Sequence, residues 1–468
     1  MNQTWSTGLL ASLRQRWRDI PMPSWGRSAR PPAPDLPEPD RARLAAQMRE
    51  CLEARGGEVS ARSRAAELGR IYLGLSPRGR RRFLATLAEG FDVDEGAIEI
   101  AARGWLAATP GDSRRLAREG LRRTLDAPRV RLLTQLNALP EGTKFLVDLR
   151  ADAIRAARDD PAIAGLEQDL KRLLSAWFDV GFLELRRVTW DSPASLLEKL
   201  ARYEAVHRVR GWIDLKNRLD SDRRLYAFFH PRMASEPLIF IEVALVKGVA
   251  GSVARLLDES APVGDPHAAD TAIFYSISNA QGGLAGISFG DFLIKRVVDE
   301  LGREFPQLKT YATLSPLPGL RGWLEARLDE APEDFLSDEE RVALADPGQA
   351  PEQVRLGDIL AGDGWARDEA RRAALELPVI RAAARYLVLA KRDDGLPWDP
   401  VARFHLSNGA EIHRLNWLAD ASANGLKQSL GVMVNYRYAL DEIEANHEAY
   451  ARDHAVATSS AIAKLAAS

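Results

Sequence analysis

The run "AIFYSISNAQGGLAGISFGDFLIKRVVDELGREFPQLKTYATL", Ala272 to Leu314, decides how the rest of the chain is read. Ala272 to Ser278 is a β-prone apolar run. Phe289 to Phe305 has the spacing of an amphipathic helix, and Lys309 to Leu314 is β-prone again. Strand, glycine loop, helix and strand in that order make a crossover unit. Gly282, Gly283, Gly286 and Gly290 lie between the first strand and the body of the helix. Glycine lets backbone approach a ligand closely and adopt positive φ. The first turn of the helix adds free N–H groups and a dipole that favours an anion. Ser288 and Asp291 have capping-box spacing and place the helix start. The spacing is neither G-x-G-x-x-G nor G-x-x-x-x-G-K-[ST]. A turn that only permits tight helix–sheet packing fits the same glycines, and the pattern leaves both readings open.

Working outward, "LYAFF" (Leu225 to Phe229) and "PLIFIEVALV" (Pro237 to Val246) read as strands joined by "HPRMASE", a hairpin-length loop. "EIHRLNW" (Glu411 to Trp417) reads as a later strand. Between Gly319 and Ala390 the pattern is helical, with a capping box at Ser337 and Glu340, and has the look of an insertion. Arg41 to Phe178 is helical throughout. Stripes recur at Leu44, Met48, Leu52, at Leu116, Leu121, Leu125 and at Leu166, Leu170, Leu174, and Ser76-Pro77 reads as a cap and first turn. Pro21 to Asp40 is proline-rich and expected to be extended or disordered. The fold class is therefore α+β overall: a tail over 1–40, an all-α helix bundle over 41–180, and a mixed α/β domain with a helical insertion over 181–468.

Composition narrows the function. The 468 residues carry 64 basic and 66 acidic side chains, net −2, which gives no global pull toward nucleic acid or anionic membrane. No apolar run approaches the ~18 residues of a membrane span. Cys51 is the one cysteine, so no intrachain disulfide forms, and its spacing from Leu44 and Met48 predicts packing. The first twenty residues are basic and nearly free of acids, a pattern shared with organellar presequences, but they lack an apolar h-region. The default location is the cytoplasm of a bacterium, with the presequence reading left open.

Candidate polar groups are few. Ser315, before Pro316, reads equally as a helix cap or as a hydroxyl held at a strand end. Among seven histidines, His405 stands out, flanked by Phe404 and Leu406 and followed by "SNG". The pattern puts it at the end of a short β segment leading into an Asn-Gly turn. A hydrogen-bonded structural histidine fits the same position. No His, Asp or Glu cluster has metal-ligand spacing, and no G-x-S-x-G elbow occurs. Trp190, Trp212, Trp323 and Trp417 read as core rather than a stacking surface.

The longest blocks carry a resemblance. They are Thr189 to Leu219, "FFHPRMASEPLIFIEVAL" (Phe228 to Leu245), Ile273 to Gly319 with its "LSPLPG", and Pro400 to Tyr438 with "FHLSNGAEIHRLNW". Together they resemble the malonyl-CoA decarboxylase family, and the loop's placement resembles the pyrophosphate cradle of GNAT acyltransferases. The resemblance implies a helix bundle used in oligomerisation, as a homodimer or homotetramer, and a GNAT-like catalytic domain. It implies conversion of malonyl-CoA to acetyl-CoA and carbon dioxide without metal or biotin, the coenzyme A thioester being the substrate rather than a cofactor. By the same resemblance Ser315 and His405 are catalytic and also touch the substrate. Ala285, Gly286, Ile287, Ser288, Phe289, Gly290 and Asp291 bind coenzyme A. Asn416 and Tyr438 are expected to support the site, with a plain core role open for Tyr438. The chain departs from the family pattern at Ser288, a position that is often acidic in relatives. Two other readings stay open: a GNAT-type acyltransferase, which needs an amine acceptor, and a CoA-binding module without turnover.

Overall fold

The computed structural model describes Trp17, Ile20 and residues 30–53, 57–178, 180–287, 292–330 and 335–468. The chain divides into two compact units. The first holds residues 1–183 with 230–236 and 281–289, and the second holds 184–229, 237–280 and 290–468.

The described helices of the first unit are α1 (Glu38–Leu52), α2 (Gly57–Gly74), α3 (Pro77–Gly90), α4 (Glu95–Ala107), α5 (Asp112–Thr124), α6 (Pro128–Asn137), α7 (Gly142–Ala156) and α8 (Pro161–Trp177). Local chemistry sets their starts. Ser76, Asp94 and Asp160 each accept a backbone N–H of the helix that follows, and Pro77 and Pro161 stand in the first turns of α3 and α8. The core is built on α7, which buries Phe145, Leu146, Val147, Leu149 and Ala153, and on the α8 stripe of Leu166, Leu170 and Leu174. Cys51 is buried, its thiol bonded to Gln135 Oε1. By contrast α4 and α5 bury no residue, and Ile100, Leu106, Leu116 and Leu125 are all more than half exposed.

The expectation of a 1–40 tail meets a different arrangement at the described positions. Leu36 is buried and α1 begins at Glu38. Trp17 is fully buried, donates its indole N–H to Pro140 O at 2.7 Å, and packs its ring at a tilt against Phe145, with centroids 5.2 Å apart. A Cβ at Gly69 would lie 2.1 Å from the Trp17 ring, so only glycine leaves room for it. One large aromatic seated in a matched slot holds this point of the expected tail in place.

The second unit is a sheet with helices around it. Its strands are β1 (Glu184–Val188), β2 (Arg223–Phe229), β3 (Ile239–Val246), β4 (Thr271–Asn279), β5 (Thr310–Thr313), β6 (Ser315–Pro316), β7 (Glu411–Asn416) and β8 (Met433–Arg437). The order is β1-β2-β3-β4-β5-β8, with β6 and β7 also paired to β8. Between these strands every pairing is antiparallel except β4–β5, which run parallel from Thr271↔Thr310 to Phe274↔Thr313. The helix that returns the chain between them is Phe292–Glu304, as the crossover pattern requires. Four further helices fall where the sequence places an insertion: Leu320–Glu330, Asp338–Leu344 with its Ser337/Glu340 capping box, Leu356–Leu360 and Glu369–Val388. The fold is thus an all-α part followed by a mixed α/β part with a helical insertion. Three strands were not expected. β1 is largely exposed, β6 is two residues long, and β8 mixes polar and apolar side chains.

Trp190 and Trp212, expected in the core, lie at the surface, edge to face with ring centroids 6.1 Å apart. Each covers the other's ring, which lowers the cost of their exposure. Among the described residues no helix is long and apolar enough to cross a membrane.

The Trp17 slot can be measured directly. Trp17→Ala is expected to lower unfolding free energy by about 3 kcal/mol in chemical denaturation, where removal of a tail residue would change nothing.

Candidate active site

Ser315 leaves the central sheet in a fixed direction. Leu314 donates its N–H to Phe274 O at 3.0 Å, and Ser315 and Pro316 then pair with Val434 and Met433 of β8. Ser315 is therefore a strand residue and not the cap of the following helix, which begins at Leu320. Pro316 keeps the strand out of a helix, and a turn at Pro318-Gly319, closed by the Leu320 N–H donating to Leu317 O at 3.2 Å, leads into the helix.

His405 also differs from expectation. It lies in the last turn of a two-turn helix, Pro400–Ser407, rather than at the end of a β segment. The helix starts there because Asp399 Oδ1 accepts from Val401 N at 2.9 Å and Ala402 N at 2.8 Å, with Pro400 in the first turn. It ends at Asn408-Gly409. Gly409 has φ +78°, and a Cβ there would lie 2.2 Å from Ile443 O. The Asn-Gly turn is as expected, but a helix feeds it.

These two elements bring Ser315 and His405 together. Ser315 Oγ lies 3.2 Å from His405 Nε2 and donates to Thr313 Oγ1 at 2.9 Å. On the other side of the ring, His405 Nδ1 is 2.7 Å from the Tyr438 hydroxyl. The Tyr436 ring stacks on the imidazole with centroids 4.4 Å apart. Ser315 spends its proton on Thr313, so it accepts from Nε2–H, and Nδ1 accepts from Tyr438; the contacts fit one neutral tautomer. Ser315 is 7% exposed and His405 3%. Burial alone pushes the imidazole down to about 3, and burial pushes the Tyr438 and Tyr436 phenols well above their ordinary range.

Asp399 ties the two elements further. Its Oδ2 accepts the Tyr386 hydroxyl at 3.1 Å. A Cβ on Gly319 would lie 2.5 Å from that same hydroxyl. One fully buried carboxylate therefore caps the His405 helix and holds the phenol that lies against the turn four residues past Ser315. Burial raises its pKa to about 6, outweighing the N–H and phenol donors that pull it down.

The other expected residues are placed as follows. Asn416 is buried and donates to Asn435 Oδ1 at 2.8 Å. Asn435 in turn donates to Thr313 O at 2.6 Å, so Asn416 reaches the Ser315 strand only through a second amide. Ala285 and Gly286 are exposed at the end of a turn that includes a short 3₁₀ segment, Gly282–Leu284, and Ile287 is buried. Ser288, Phe289, Gly290 and Asp291 lie outside the described residues. Asp399, Tyr386, Thr313 and Tyr436 were not foreseen. Two of them left a signal: Asp-Pro before an apolar run marks a helix start, and Thr313 shares a strand face with Ser315.

The malonyl-CoA decarboxylase C-terminal domain profile matches residues 181–468, and the N-terminal domain profile matches 91–178. The mitochondrial malonyl-CoA decarboxylase of Anser anser anser is 39% identical over 406 residues, 83% of this chain and 80% of that protein. The mitochondrial enzyme of Rattus norvegicus is 37% identical over 425 residues, 87% of this chain and 86% of that protein. The crystal structure of malonyl-CoA decarboxylase from Rhodopseudomonas palustris matches with a TM-score of 0.83 and 42% identity, covering 91% of this chain and 99% of that one. The structure from Agrobacterium vitis gives 0.81 and 39%, with the same coverage.

Protonation gives the site a pH signature with two opposite signs. His405 titrates near 3 when folded against an ordinary 6.5, so its stabilising contribution is complete above 6.5 and is lost as pH falls from there toward 3. Asp399 titrates near 6 against an ordinary 3.8, so its contribution is present below 3.8 and is lost as pH rises through 6. Unfolding free energies measured from pH 4 to 7.5 are expected to show the acid-side loss shrink in His405→Gln. The loss toward neutral pH is expected to shrink in Asp399→Asn, which keeps the cap oxygen without the charge.

Proposed function

The chain belongs to the malonyl-CoA decarboxylase family, and from that premise we propose that Ser315 and His405 carry out the decarboxylation through an enolate. The protein is a carboxy-lyase. The proposal concerns how it works. Breaking the bond between the malonyl carboxylate and the methylene carbon releases carbon dioxide and leaves the electron pair on the thioester as an enolate. Charge builds on the thioester oxygen, where a fixed hydroxyl and N–H groups stabilise it. The methylene carbon then takes a proton to give acetyl-CoA, and a proton from solvent replaces it on the enzyme.

His405 is the proton donor in this scheme. Because burial keeps the ring neutral, the donated proton is Nε2–H of imidazole and not that of an imidazolium. The Tyr438 hydroxyl on Nδ1 draws electron density from the ring and makes Nε2–H a better donor. Ser315 orients the malonyl carboxylate or relays the proton, with no acyl-enzyme. The observation that supports this most is the 3.2 Å approach of two buried side chains from distant parts of the chain. The scheme calls on no metal or biotin. Ala285, Gly286, Ile287 and the segment 288–291 are proposed to hold coenzyme A.

The helical unit is proposed to join copies of the chain into a homodimer or homotetramer. Helices α4 and α5 leave Ile100, Leu106, Leu116 and Leu125 exposed, an apolar face typical of an interface rather than a solvated hairpin. For location we favour the cytoplasm. The basic first twenty residues are the feature that speaks for an organelle, as in the two relatives named mitochondrial.

Ser315→Ala and His405→Ala are each expected to lower release of labelled carbon dioxide by about 10²–10⁴-fold, with acetyl-CoA formed by the parent from malonyl-CoA alone. Near-parental release by both variants would remove the assignment. Accumulation of product only when an amine is added would favour acyl transfer instead. Leu116→Glu is expected to lower the mass seen in sedimentation without loss of helicity.

A further inference from the structure

The turn that ends β4 is held by the helical unit to which it belongs. Arg150, on α7, has a side chain 2% exposed. Its Nη1 donates to Gly283 O at 2.7 Å and its Nη2 to Ala285 O at 2.9 Å. Glu167, on α8, accepts from Arg150 Nε and Nη2 at 2.9 and 2.6 Å, which balances the buried charge. The backbone approach is as close as it can be: a Cβ at Gly283 would lie 1.8 Å from Val147 O. Gln281, Gly283, Leu284 and Ile287 are buried, while Ala285 and Gly286 stay exposed. The turn is thus clamped from below and offers one open edge.

At that edge stands a cation. A Cβ at Gly286, where φ is +70°, would lie 3.5 Å from Lys171 Nζ. Lys171 is one helical turn beyond Glu167 on the same face of α8, and it is exposed. Glu167 is already committed to Arg150, and among the described residues none forms an ion pair with Lys171. Arg150, Glu167 and Lys171 together leave one net positive charge beside the open edge.

We propose that Lys171 binds a phosphate of the coenzyme A thioester at Gly286, and that Arg150 is the positioning residue that sets the turn for it. The inference rests on the acyl-CoA reading of this loop. It gives the helical unit a part in substrate binding, beyond assembly. A phosphate oxygen against Gly286 gains a charge-assisted hydrogen bond from the ammonium, and the absence of a side chain there keeps the approach open. Arginine is needed at 150 because a planar fork serves two carbonyls and a carboxylate at once, which an ammonium does not.

Calorimetric titration of the full-length protein with coenzyme A and with pantetheine, which has no phosphate, tests this apart from turnover. Lys171→Gln is expected to raise the Kd for coenzyme A about fivefold and Lys171→Glu about twentyfold, with pantetheine binding unmoved and the gap closing at high salt. Arg150→Lys, which keeps the charge facing Glu167, is expected to raise the coenzyme A Kd alone while thermal unfolding stays cooperative. Unchanged coenzyme A affinity in both Lys171 variants would overturn the site, and unchanged affinity in Arg150→Lys would overturn the positioning role. Loss of affinity for both ligands alike in the Lys171 variants would also overturn the phosphate contact. If the parent fails to convert malonyl-CoA, the decarboxylase reading fails while these titrations still decide the inference.

Discussion

One buried carboxylate holds the proposed catalytic pair in register. Asp399 caps the two-turn helix that ends in His405, and its second oxygen takes the Tyr386 hydroxyl that lies against Gly319. A helix of eight residues has no stability of its own in water. Its cap and its packing therefore decide where the imidazole sits. The cost is visible in the carboxyl itself, whose pKa burial raises to about 6. That cost is tolerable because each oxygen has donors, and removing them would leave an uncompensated buried charge.

Burial also selects the chemistry. The imidazole and the Tyr438 phenol are kept neutral by desolvation rather than by neighbouring charges. A neutral, dry pocket suits a reaction whose substrate brings its own negative charge and whose intermediate is an enolate. Fixed dipoles act more strongly on that charge than water would, and no counter-ion has to be moved first. In the first unit a buried ion pair does different work. Arg150 and Glu167 hold backbone carbonyls of the glycine turn, so the charge fixes a conformation and leaves the proton chemistry elsewhere.

Much of the framework is legible in the sequence because it rests on local signals. The strand–loop–helix–strand order gives the β4–β5 parallel pair, Ser76-Pro77 starts α3, and the Ser337/Glu340 box starts its helix. Each depends on residues within a few positions of one another. What local signals leave open or misread is decided by distant residues. Ser315 has the residues of a cap as well as of a strand end, and pairing with β8, more than a hundred positions later, decides for the strand. Trp17 falls in the expected tail, and a slot beside Gly69 holds it in place. Trp190 and Trp212 are large and apolar, and still lie at the surface.

The sequence by itself determined the fold class, an all-α part followed by a mixed α/β part, the strand–loop–helix–strand crossover and, through long matching blocks, the family and with it the reaction. Residue types and spacings suffice for these, since periodicity and capping act over one or two turns. Only the tertiary structure decided that His405 stands on a helix, that its Nε2 meets Ser315 Oγ, and that Tyr438 takes the other nitrogen. It also decided that the imidazole is neutral, because a pKa is set by burial and partners that come from separate strands and helices. Asp399 and Arg150 are single letters in an Asp- and Arg-rich chain until folding shows what each one holds.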